Sequence, residues 1–270
     1  MCEKSTDSSE EFTPPSAQIS GNPVSAVLRE YSDGILVNLH SHAQAQLVYA
    51  ATGVMELATE EGYWVVPPQR AVWMPAGVPH RMRARGLVSL HALYFRPDSC
   101  PAEFSIEPRI FSVIPLLREL IARVGGLPCR DVSDGREARL VSVLIDEITF
   151  AKEEPILKVK LSVDRRLRRV CEGVLLNPAD NRTLDEWAIE IGASSRTLAR
   201  LFTAELGVSF RHWRQQARLV CAFPRLSAGE PISAIATDFG YDTLGAFSAM
   251  FRRYMGNTPS AYFKLSDLTK

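Results

Sequence analysis

The chain has no paired-cysteine motif. Its five cysteines, Cys2, Cys100, Cys129, Cys171 and Cys221, are scattered and odd in number. No CxxC exists for zinc or dithiol chemistry, and reduced thiols in a cytoplasmic compartment fit best. Nowhere do ~18 uncharged apolar residues follow one another, so no transmembrane helix is expected. The opening MCEKSTDSSEEFTPP is polar, acidic and proline-bearing. It lacks the apolar centre of a signal peptide, and residues 1–23 are read as a disordered tail. Net charge is also missing: 31 Lys+Arg balance 31 Asp+Glu. That balance hides a split. Residues 162–270 hold 15 basic and 11 acidic residues, leaving 16 and 20 for residues 1–161. The C-terminal part, at +4, is compatible with nucleic acid without demanding it. Repeats of solenoid length are absent.

What is present falls into two halves with different periods. From Val24 to about Pro97, short runs alternate apolar and polar residues: AVLREY, ILVNLH, QLVYAATGVMELAT, YWVV, AVWMP, HRMRA and LVSLHALYF. Gly53, Gly62, Pro67, Pro68, Gly77 and Gly86 punctuate them as turns. Many short strands predict an all-β sandwich or barrel over 24–97. Beyond Pro97 the spacing becomes helical. Val113, Leu116, Leu117, Leu120, Ile121 and Val124 form one stripe; Leu140, Val143, Leu144, Ile148 and Ala151 form another. Each stripe serves equally as core or as a dimer interface, making a homodimer one candidate partner. Lys152–Lys160 reads as a charged linker that closes a segment over 98–161. Residues 162–270 read as entirely helical.

One helical pattern occurs twice in that last part. In the first copy, Thr183 caps a helix and Glu186 completes a capping box. Gly192 turns the chain, and Ser194 caps a second helix whose outer face holds Ser195, Arg196, Ala199, Arg200 and Thr203. The second copy starts at Pro231, turns at Gly240 and continues from Thr243 to Met255. Its outer face holds Leu244, Gly245, Ser248 and Arg252. Two short helices joined by a glycine turn are a helix-turn-helix. Arginines opening such a helix can reach guanine O6 and N7 in the major groove.

Arg182–Phe263 resembles the DNA-binding region of AraC/XylS-type transcriptional regulators almost without gaps. The resemblance rests on ArgLeuPhe (Arg200 to Phe202), GlyTyr (Gly240, Tyr241), PheArgArg (Phe251 to Arg253) and GlyxThrPro (Gly256 to Pro259). It implies double-stranded DNA as partner, with both units in neighbouring major-groove segments about one turn, ~34 Å, apart. Carried over by position, the base readers fall on Ser195, Arg196, Ala199 and Arg200, then on Leu244, Gly245, Ser248 and Ala249. The second set is poor in hydrogen-bonding side chains. The first unit is therefore expected to read most sequence, and the second to hold phosphates through Thr243, Arg252 and Thr258. Pro224 departs from the family's continuous joining helix. Either the helix kinks past it or it ends at Phe223, with a longer loop to Pro231.

The first half resembles a cupin-type sensor barrel through His40, His42, Gln46 and Gly53, then Pro75, Gly77 and His80. In metal-binding cupins the first motif supplies two histidines and a carboxylate, and the second supplies another histidine. Here the carboxylate position is Gln46. On a strand, residues i and i+2 share a side, so His40 and His42 point together; His91 is a further candidate imidazole. Three readings stay open: a divalent transition metal on His40, His42 and His80 with Gln46 or His91 helping; a metal-free pocket for an organic effector formed by the same five residues; and histidines satisfied internally. An enzyme is disfavoured, because no Asp or Glu belongs to the barrel motifs; Glu56, Glu60 and Glu61 are read at or beyond a turn. The expected molecule is an α+β multidomain regulator: a cupin-like β-barrel that senses a small molecule or a metal, and an all-α paired helix-turn-helix. RNA polymerase is a partner if the regulator activates.

Overall fold

Alternation in the first half produces strands, and glycine lets two of them run long. The computed structural model describes residues 23–100, 107–127, 135–153 and 157–267, with side chains to 263. They divide into two units: residues 23–59 with Val66–Leu157, and Glu60–Val65 with Lys158 onward. No helix among the described residues is long and apolar enough to cross a membrane.

The first unit is an antiparallel cupin-like sheet. Its strands are β1 (Val24–Tyr31), β2 (Leu36–His40), β3 (Ala45–Thr59), the last residue of β4 (Gly62–Val66), β5 (Arg70–Met74), β6 (His80–Phe95) and β7 (Arg109–Ser112). β6 lies between β1 and β3 and also pairs β2, while β5 pairs both β3 and β7. Gly53 and Gly86 are not the turns expected from the sequence. Both lie inside long strands with φ of 67° and 73°. Around Gly53 the β3–β6 register shifts twice. A Cβ there would meet the Leu87 carbonyl oxygen at 2.7 Å, so only glycine fits both the conformation and the space. The shift reverses the parity of β3. Gln46, Val48 and Ala50 oppose Tyr94, Ala92 and Leu90, whereas Met55, Leu57 and Thr59 oppose Ala84, Met82 and His80. One inner face thus continues along the whole strand. Glu56 has the other parity, opposes Arg83 and pairs with Arg85 at 2.9 Å. It sits mid-strand, not at a turn.

The opposite face is covered by α1 (Pro115–Gly125) and α2 (Gly135–Thr149). Leu47, Tyr49, Trp73, Leu93, Phe95 and Phe111 form a core with Leu117, Leu120, Ile121 and Val124 of α1 and Val141, Leu144 and Ile148 of α2. Both predicted stripes therefore serve as core, with two substitutions of face. Leu116 and Val143 are exposed, and Val141 takes the inward place.

In the second unit, Gly62–Trp64 of β4 pairs with β8 (Lys158–Lys160). The end of the expected linker is thus a strand. The carbonyls of Lys160 and Lys158 accept from Trp213 Nε1 and Gln216 Nε2 at 2.9 and 2.6 Å. The helices follow: α3 (Arg165–Leu176), α4 (Leu184–Ile191), α5 (Ser195–Leu206), α6 (Phe210–Ser227), α7 (Ile232–Asp238), α8 (Leu244–Met255) and α9 (Pro259–Asp267). Buried Arg218 on α6 donates to the carbonyls of Pro178 and Asp180 and to Asn181 Oδ1. α6 runs through Pro224, which settles the open choice about the joining helix. The proline sits one turn from the end, and Arg225 ties that turn to Glu230 and Asp238.

Candidate functional site

The sensor site begins where three strand ends meet. His40 ends β2 and His80 opens β6, and the two are register partners. His42 lies two residues beyond β2, not on it, so strand parity does not place its ring. A turn does: Gly77 N–H donates to the His42 carbonyl at 2.8 Å. The HisxHis and ProxGlyxxHis segments are thereby pinned together. Ring centroids are 4.8 Å apart for His40–His42, 4.4 Å for His40–His80 and 5.5 Å for His42–His80.

Backbone acceptors fix two tautomers. His40 Nδ1 lies 2.6 Å from the Asn38 carbonyl and His80 Nδ1 lies 2.9 Å from the Val78 carbonyl. A carbonyl only accepts, so each Nδ1 carries the proton and each Nε2 keeps a lone pair. The Nε2 atoms of His40, His42 and His80 are buried without a hydrogen-bond partner among the described residues. One ligand atom from each lies within 4.8 Å of the others. Burial, reinforced by His40, pushes the His42 imidazole down to about 4. Burial also takes His80 to about 4, against the opposing bond to Val78. These two rings are neutral at pH 7 and need lose no proton to bind a cation.

Gln46 is buried on the inner face. Its Nε2 donates to the Tyr94 hydroxyl at 2.9 Å, and its Oε1 is buried without a partner. The Tyr94 ring stands 5.0 Å from His42, edge to face. Burial pushes the Tyr94 phenol up to about 12. His91 is not brought to this group. Its place on β6 is odd where Tyr94 and His80 are even, so it points to the helix-covered face, 5.9 Å from Tyr49. Sequence reasoning missed Ser25, Arg29 and Tyr31. The β1–β6 register sets those three on the inner face with Tyr94. Their alternation in SAVLREY was legible; their registration against β6 was not.

The second unit carries the residues expected from the sequence to meet nucleic acid. Thr183 and Glu186 form the capping box, Gly192 takes a left-handed φ of 70°, and Ser194 caps α5. Arg196, Ala199 and Arg200 are exposed and Ser195 is half-buried. Neither arginine makes a hydrogen bond or ion pair among the described residues. On α8, Thr243 is the cap, accepting from Ala246 N–H. Leu244, Gly245, Ala249 and Arg252 are exposed and Ser248 is half-buried. A cleft of 550 Å³ is lined by Ser248, Ala249, Arg252, Arg253, Gly256 and Thr258. It gathers the phosphate-binding candidates Arg252 and Thr258 in one place.

Two families match this division. Residues 187–265 match the family described as "Helix-turn-helix domain", and residues 22–138 match "AraC-like ligand binding domain". The chain is 32% identical over 231 residues to the "HTH-type transcriptional regulator NimR" of Escherichia coli (strain K12), covering 86% of this chain and 84% of that one. The chain belongs to the AraC-type transcriptional regulators. This regulator is also 26% identical to the "Arabinose operon regulatory protein" of Salmonella typhimurium, over 63% of its own length and 64% of the relative's. Among solved structures, it is similar to the C-terminal domain of AraT, a response regulator from Geobacillus stearothermophilus. That match has 31% identity, covers 38% of this chain and 87% of that one, and has a TM-score of 0.37. The regulator is thus a DNA-binding protein with an effector-sensing N-terminal domain.

Proposed function

We propose that this cytoplasmic regulator senses through a divalent transition metal held by His40, His42 and His80, with Gln46 Oε1 as a fourth donor. One observation carries the reading: three buried imidazole Nε2 atoms converge without a hydrogen-bond partner among the described residues, and those of His40 and His80 are oriented as acceptors. Buried imidazole nitrogens left unpaired beside one another are unfavourable without a donor or a cation between them. Two of the three are oriented by Nδ1–H bonds to backbone carbonyls, the arrangement that metal-ligating histidines use. Imidazoles with an amide oxygen suit a first-row ion, whose bonds to nitrogen are about 2.0–2.1 Å. Occupancy shifts the population of DNA-competent arrangements to the extent that the ion binds one arrangement better. On the DNA, Arg196 and Arg200 read base edges, while Thr243, Arg252 and Thr258 hold phosphates. Pairing with a second copy through α1 and α2 is supported by exposed Leu116 and Val143 on them and Phe150 directly after α2.

The test is metal analysis of full-length protein purified without chelator, then offered zinc, nickel, manganese and iron. About one equivalent of one ion is expected, with loss in His40→Ala and His80→Ala and retention in His91→Ala. Wild-type protein that takes up none of the four sinks the reading.

A further inference from the structure

The proposed metal has an electrostatic problem that the protein does not solve. Its donors are three imidazoles and one amide, all uncharged. The ligating group contains no carboxylate among the described residues. Glu56, the buried acid of β3, has the other parity and is tied to Arg85. A dication held in a desolvated interior by neutral donors keeps its full charge, which is costly until an anion joins it. Three histidines and an amide also leave open positions on an ion that accepts five or six ligands.

The inner face offers a place for that anion. Opposed residues of an antiparallel pair project to the same side. Ser25 opposes Tyr94 and Arg29 opposes Leu90, so Ser25, Arg29 and Tyr31 share the face of Tyr94 and Gln46. Burial raises the Tyr31 and Tyr94 phenols, and the positive charge of Arg29 opposes both shifts. Tyr94 in turn holds Gln46 at 2.9 Å and stands 5.0 Å from the His42 ring. Among the described residues, neither Ser25 Oγ nor Gln46 Oε1, both buried, has a partner. A cationic fork, two phenols, a hydroxyl and the histidine group therefore line one wall. Guanidinium is the side chain suited to two-point carboxylate binding.

We propose that the sensed effector is a small organic acid, which ligates the metal on His40, His42 and His80 through oxygen and sets a carboxylate against Arg29. The tyrosine hydroxyls and Ser25 supply further hydrogen bonds to its oxygens. This rests on the metal reading above, and the experiment separates the two. Full-length protein loaded with cobalt(II) reports its coordination through visible absorption. Oxalate, malate and 2-oxoglutarate are titrated into it, with imidazole as a neutral control ligand. At least one acid is expected to shift the bands saturably. Arg29→Gln is expected to weaken that acid at least ~tenfold, about one charge-assisted hydrogen bond, while the cobalt spectrum without acid and the imidazole response stay unchanged. Arg29→Lys, which keeps charge but not the fork, is expected to fall between. Absence of cobalt uptake by the wild type overturns the metal reading and this proposal together. Cobalt uptake with no response to any acid at millimolar concentration overturns this proposal alone. So does equal affinity in wild type, Arg29→Gln and Arg29→Lys. If Arg29→Gln loses cobalt as well, Arg29→Lys decides between these outcomes.

Discussion

His42 and His80 give the sensor a pH dependence whose sign follows from burial. In the unfolded chain a histidine titrates near ~6.5. In the fold both are held at about 4. Between those values the unfolded chain binds more protons than the folded one, so stability rises with pH there and levels off above. For metal-free protein we expect the urea midpoint of the N-terminal unit to fall as pH drops from about 6.5 towards 4. His80→Asn should flatten that slope whatever it does to the midpoint itself. A slope equal to wild type would contradict the neutral-His80 assignment. At this scale the sequence was readable where residue type and spacing carry chemistry, as in His40, His42, Gln46 and His80. It was unreadable for His91, because its flanking Ser89 and Leu93 fit either face. Only pairing with Tyr49 shows the side on which it falls.

Elements are held by contacts that propensity does not reveal. On α3, Gly173 looks like a weak point in a helix, since alanine there would gain up to ~1 kcal/mol of helix propensity. Its absent Cβ is filled from α4: a Cβ at Gly173 would stand 2.4 Å from the Trp187 ring. Trp187 cannot retreat easily, being buried with the Arg182 guanidinium 3.7 Å over its face. Overpacking should win, so Gly173→Ala is expected to destabilise the C-terminal unit by about 1–3 kcal/mol. A thermal melt of full-length protein read by tryptophan fluorescence measures this, and a raised midpoint would refute it. The strands and helices were mostly visible as periods of 2 and 3.6 residues. The bulge at Gly53, the continuation through Gly86 and the helix through Pro224 were not. Glycine and proline mark a break in a sequence, but only long-range pairing decides whether the chain turns or runs on. β7 and β8, four and three residues long, are too short to show any period.

For the whole molecule, neutrality overall coexists with a basic C-terminal part and exposed arginines on α5. Arg200→Ala is expected to weaken binding to the specific operator by ~1–3 kcal/mol and to relax preference at one base pair. Arg252→Ala should weaken specific and non-specific DNA alike and lower the salt slope by about one. Fluorescence anisotropy against salt distinguishes them, and a uniform loss in Arg200→Ala would move that residue from reader to anchor. The paired helix-turn-helix was legible in full because its caps and glycine turns are local. The effector was not, because its wall is assembled from β1, β3 and β6.

The strand pair of Gly62–Trp64 with Lys158–Lys160 bears on how such regulators diversify. The C-terminal unit is not one continuous stretch of chain, since it includes Glu60–Val65. A gene fusion that joined a foreign sensor ahead of Lys158 would leave β8 without its partner, and the Arg168 guanidinium and Leu161 N–H without the carbonyls of Glu60 and Glu61. A working fusion is therefore expected to need an incoming sensor that brings an equivalent strand.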